Sequence, residues 1–132
     1  MPIPTELFAT IMAPIAADSP EPAADAIRVW HVMFRRISPL LGPLSADLLF
    51  ARSLAMHASD YPWLPHIAPA AARTAFPEFE RSLDARAAQD IVAVNRALLE
   101  SYTTGLVNLI GAGLTTRLLK TAFPDNKTNT NT

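Results

Sequence analysis

Apolar residues recur every three to four positions in several blocks of this chain, and prolines separate the blocks. That spacing is the helical one, because positions i, i+3, i+4 and i+7 share one face of a helix. The longest block runs from Asp84 to Ile110 with no proline and a single glycine. Ile91, Asn95, Leu98, Tyr102, Leu106 and Leu109 keep the spacing there, and Val94, Leu99 and Ile110 widen the stripe. At 1.5 Å per residue the block predicts a helix of roughly 40 Å.

Shorter blocks precede it. The first runs from Thr5 to about Ala17, with Thr5 as the expected cap and Leu7, Phe8, Ile11, Met12 and Ile15 on one face. Pro14 is expected to kink or end it, since proline removes a backbone donor and clashes with the preceding turn. Asp18 to Pro22 reads as a linker. A second helix is predicted from Pro22 to Leu41, with Ile27, Trp30, Phe34, Ile37 and Leu41 in step and Gly42-Pro43 as its stop. A third opens at Ser45 as cap and ends near Asp60, because Pro62 disfavours helix at Tyr61. Leu48, Leu49, Phe50, Leu54 and Met56 make it apolar almost all round, the pattern of a helix covered on more than one side.

Tyr61-Pro62-Trp63-Leu64-Pro65 reads as a loop whose aromatics fold back on the helices. A short helical piece is expected from Pro69 to Phe76, broken at Pro77. After the long block, Leu114 to Phe123 either continues past Gly111 and Gly113 with a bend or forms a separate helix. Asp125 to Thr132 reads as a disordered polar tail. No strand pattern and no internal repeat stand out. The expected fold is therefore all-α: one helical bundle of four to five helices over residues 1–124, with a long C-terminal helix and Pro-rich connections.

Composition narrows what such a bundle can do. Half of the 132 residues are apolar, 17% are charged, and the net charge is −1. A charge fraction below the usual quarter hints at surface covered by self-association, as a homodimer. The weak net charge offers no cationic field for nucleic acid, so no nucleic-acid partner is expected. There is no cysteine, which removes disulfides and thiolate chemistry. The N-terminal apolar run lacks a basic flank, and no uninterrupted apolar stretch reaches the ~20 residues of a membrane span. The default location is the cytoplasm.

Candidate chemistry is sparse. There is no GxSxG elbow, no GxxxxGK loop and no GxGxxG. No catalytic residue is assigned, and an enzyme is the least supported class. His31, His57 and His66 are scattered with no HxxxH or HxxE pair, so no metal ligand is assigned and no cofactor is named. A pocket between helices near Trp30, His31, His57, Tyr61 and Trp63 would suit a small molecule or a haem-type group. His57 is also the position a phosphotransfer domain would use. Arg28, Arg35, Trp63 and Tyr102 are the candidate interaction residues, and proline-flanked Trp63 is a natural anchor. The motifs match no family beyond the general class of small helical bundles. The leading expectation is a non-enzymatic regulatory or adaptor module that binds protein partners or itself. A ligand sensor and a His57 phosphotransfer domain are the alternatives.

Overall fold

In the computed structural model, which describes residues 3–124, every regular element is a helix and no strand occurs among the described residues. The α-helices are α1 (Thr5–Met12), α2 (Pro22–Leu41), α3 (Pro43–Met56), α4 (Ala75–Leu83), α5 (Ala88–Ile110) and α6 (Ala112–Ala122). A 3-10 segment, Pro69–Thr74, leads into α4. The expected polar tail, Asp125 to Thr132, lies outside the described residues.

Proline and glycine set most boundaries. Pro22 stands at the first position of α2, where its missing N–H costs nothing. Gly42 and Gly111 end α2 and α5 at φ of 90° and 89°, a region that glycine enters without a Cβ penalty. Gly111 therefore ends the long helix, and α6 is a separate element.

Several expectations need correction. Thr5 and Ser45 do not cap: each lies inside its helix, after Pro4 and Gly42 respectively. The third helix stops at Met56 rather than near Asp60. Pro77 does not break the chain. It falls in the first turn of α4, where backbone donors have no intrahelical acceptor to lose. That turn makes 75–83 a helix of its own, and with α6 it brings the α-helices among the described residues to six. The long helix opens at Ala88, since 84–87 forms a turn after α4. On α2 the buried line is Ala26, Val29, Trp30, Met33 and Ile37, so Ile27, Phe34 and Leu41 flank it.

One hydrophobic core joins all six helices. Trp30 sits at its centre, with Phe50 at 4.9 Å and Tyr102 at 5.4 Å in edge-on contact. Phe34 and Phe76 extend the cluster, 5.0 Å apart. Loop residue Leu64 is buried, and Tyr61 and Trp63 pack half-buried against the core, so the loop does fold back.

The chain carries a structural repeat. Gly111 follows Gly42 by 69 positions (111 minus 42), and the helices on either side match at that offset. Ala26 and Asn95, Val29 and Leu98, Trp30 and Leu99, Met33 and Tyr102, and Ile37 and Leu106 are all buried pairs. Past the glycines, Ala46 matches Thr115 and Phe50 matches Leu119, again buried. The corners share their hydrogen bonds. Gly42 N–H donates to Ser38 O and Gly111 N–H to Val107 O, both at 2.8 Å. Ala46 N–H donates to Gly42 O and Thr115 N–H to Gly111 O, both at 3.1 Å. The first helices match one position closer: Leu7, Phe8, Ile11 and Ile15 align with Ala75, Phe76, Phe79 and Leu83.

Packing follows the same exchange. α2 lies on α5; α2 also lies on α6 as α5 lies on α3; α1 lies on α6 as α4 lies on α3. The molecule is thus two copies of a three-helix unit around a pseudo-twofold axis. This repeat is invisible by residue identity, because matched positions keep burial and backbone geometry while changing side chain.

The axis runs along the bundle. Ile91 lines a cleft with Ala23 and Ile27, Trp30 meets Asn95, and Phe34 meets Tyr102 at 5.9 Å. Progress along α2 is progress along α5, so the two helices run in the same sense. Both glycine corners consequently lie at one end of the molecule.

Candidate functional site

At the glycine end, side chains that elsewhere form core are left in water. Leu40 is 49% exposed on α2 and Leu109 is 61% exposed on α5, at matched positions of the repeat. Leu44 on α3 is 65% exposed, and Leu48 and Leu114 are each 39% exposed. Leu109 was expected in the buried seam, but it stands in the last turn of α5, just before the Gly111 corner, and is exposed. The chain around both corners is uncharged. Residues 37–46 and 101–116 contain no Asp, Glu, Lys, Arg or His. Depletion of charge together with exposed apolar side chains marks the centre of protein interfaces.

The opposite end holds an open cleft of about 650 Å³, between the start of α2, the end of α4 and the start of α5. Its floor is Ile27, Leu83 and Ile91; its rim carries Glu21, Arg28, His31, Glu80, Asp84 and Arg86. Two of the cations are held in place. Arg28 donates to Asp25 at 2.9 Å, and the Arg86 guanidinium lies 4.8 Å above the Trp63 ring. The Ser19 hydroxyl, chiefly, holds the Asp25 carboxyl below its usual range; desolvation opposes it, and the Arg28 guanidinium adds to the lowering.

The residues singled out in the sequence do not converge on one pocket. Trp30 and Tyr102 are wholly buried, and the aromatic cluster fills the space between helices where a small-molecule or haem-type group was expected. His31 and Arg28 face the cleft, and Trp63 borders it through Arg86. Tyr61 packs edge-on to Trp63 at 6.1 Å. Arg35 is exposed on α2. His57 caps the end of α3, half-buried, with Nε2 2.6 Å from Ser101 Oγ on α5. His66 lines a separate small hollow with Ala55 and Ile67. No group of three or more metal-ligating side chains comes together among the described residues. No helix among them is long and apolar enough to cross a membrane.

Sequence reasoning took Leu48 and Leu109 for covered positions and did not single out Leu40 or Leu44, although two charge-free stretches around Leu40, Leu44, Leu109 and Leu114 are visible in the chain. The sequence does place Glu80 and Asp84 beside Arg86, but that Glu21 at the start of α2 joins them is decided by the tertiary structure.

Comparison with family models, with curated proteins and with solved structures gives no match.

Proposed function

We propose that this chain is a non-enzymatic protein-interaction module that works through its leucine end. The observation that carries this reading is the coincidence of four exposed leucines, Leu40, Leu44, Leu109 and Leu114, with two charge-free stretches at the two glycine corners. Leaving that much apolar surface in water is unfavourable by about 25 cal/mol per Å², and a partner that covers it recovers the energy.

Paired substitution tests the reading. Leu44→Glu with Leu109→Glu puts charge into the patch without touching the core. Cross-linked complexes formed by the chain in its host should disappear in this variant while its helical circular dichroism is unchanged. A folded double variant that keeps every complex would overturn the reading.

A second reading has one observation in its favour. The cleft that gathers Arg28, His31 and Arg86 has the volume of a small-ligand site, so a sensor role would sit there rather than around Trp30. Ligand screening by thermal shift, compared between the native chain and Arg86→Ala, tests it. A ligand that stabilises both chains equally speaks against the cleft.

A further inference from the structure

Resting on the cleft reading, we infer that the cleft between the start of α2, the end of α4 and the start of α5 binds a short aliphatic amine that carries two or more ammonium groups.

Volume and floor set the body of the ligand. The cleft has a volume of about 650 Å³, within the range of small-ligand sites. Ile27, Leu83 and Ile91 form an apolar floor, beside Pro22, Ala23 and Ala24. Such a floor favours methylene groups and gives nothing to a bare inorganic ion.

The rim sets the charge. Cations and carboxylates both stand there, but the cations are already engaged. Arg28 donates to Asp25 at 2.9 Å, and the Arg86 guanidinium lies over the Trp63 ring. Glu21, Glu80 and Asp84 form no ion pair among the described residues. The carboxylates, not the cations, are the groups left to receive a charged partner.

Glu80 and Asp84 are also held where negative charge is unfavourable. They stand four positions apart on one face of α4, so they repel each other. Both lie at the C-terminal end of that helix, Glu80 in its last turn and Asp84 as the residue that follows, where the helix dipole is negative. Nearby Arg81 pairs with Glu78 instead. An ammonium group at Glu80 and Asp84 relieves both strains. Glu21, which precedes Pro22 on the α2 side of the cleft, offers a place for a second. A diamine can lay its methylenes on the floor between them.

Four probes separate charge from body: hexamethylenediamine, hexylamine, hexanoate and ammonium chloride. Amide NMR shifts and the Tm of the full chain read their binding. Hexamethylenediamine should shift the amides of Ala23, Ala24 and Ile27 and bind more tightly than hexylamine. Hexanoate and ammonium chloride should not bind. Diamine binding should weaken as salt rises, because exposed charges are screened. Glu80→Gln and Asp84→Asn, both at exposed positions, should each weaken it by about two- to five-fold. Glu100→Gln, exposed on α5 outside the cleft, should leave it unchanged. Arg86→Ala removes a repelling cation from the rim and should tighten it.

A diamine that moves no cleft amide, or that binds the Glu80→Gln, Asp84→Asn double variant as it binds the native chain, overturns the inference. Hexanoate binding that is lost in Arg86→Ala overturns the amine assignment alone and leaves the cleft reading standing. Cleft amides unmoved by all four probes and by every compound of the ligand screen overturn both.

Discussion

Trp30 donates its indole N–H to Asn95 Oδ1 at 2.8 Å, and both side chains are shut off from solvent. Asn95 in turn donates from Nδ2 to Ile91 O at 2.7 Å. A polar side chain in the middle of an apolar helix face is thereby satisfied, and it locks α2 to α5. Asn95→Leu strands the indole donor and should cost about 2 kcal/mol, the typical penalty of an orphaned buried group. Adding Trp30→Phe removes the stranded donor, so the double variant should lose less than the sum of the singles. Urea unfolding of all four chains measures the coupling. Strict additivity would show that the bond contributes nothing.

Tyr102 gives a pH prediction. Its hydroxyl donates to Ala46 O at 3.2 Å. Burial, first, and the Asp47 carboxylate, second, push the phenol well above its ordinary range. The unfolded phenol ionises near pH ~10, while the folded one stays neutral. The folded state is thus favoured fully below pH ~10, and stability falls as pH rises above it toward the folded value, by up to about 1.4 kcal/mol per pH unit. Tyr102→Phe should lower stability by about 1 kcal/mol at pH 7 and flatten the alkaline loss. Thermal unfolding from pH 7 to 11 compares the two chains, and parallel profiles would contradict the assignment.

Thr115 is buried with its hydroxyl unpartnered, the one such side-chain atom found among the described residues. Its match in the other unit is Ala46, which has nothing to satisfy. Thr115→Val keeps the shape and removes the polar atom, so it should raise stability by about 1 kcal/mol. A drop in Tm would mean that the hydroxyl is paired in solution.

The glycines divide by sign. A Cβ at Gly42 or Gly111 meets nothing within 4 Å, so the cost of alanine there is backbone strain at positive φ with extended ψ, about 1–3 kcal/mol. Gly113 also has open space but sits inside α6 without positive φ. Gly113→Ala should therefore stabilise by about 0.5–1 kcal/mol. At Gly105 an added Cβ falls 2.5 Å from Leu49 Cδ1, so Gly105→Ala forces that leucine tip to move and should stabilise less than Gly113→Ala. Chemical denaturation of the four variants checks the order. Equal effects at Gly111 and Gly113 would mean that the corner is not held at positive φ.

Most of the fold was legible because its signals are local. Pro22, Leu41 and Gly42 bound α2 where the sequence places them, and the stripe from Ile91 to Leu106 is buried as its spacing requires. Local rules failed where a neighbour in space decides. Pro77 reads as a breaker until the 3-10 turn before it turns it into a first-turn residue. Leu109 reads as core until Gly111 turns the chain away. The candidate sites fared worse. Arg28 and His31 do reach a cleft, but the companions that make it one arrive from α4 and α5.

The amino-acid order alone determined that this protein is helical, where α2 and α5 stop, and that the stripe from Ile91 to Leu106 turns inward, because proline geometry, glycine φ and a 3.6-residue period act within a few positions. Tertiary structure alone decided that Trp30 finds Asn95 65 residues away, that two three-helix units echo each other, and that their bare leucines share one end. Those outcomes depend on contacts distant in sequence, and burial can repeat between two units whose side chains do not.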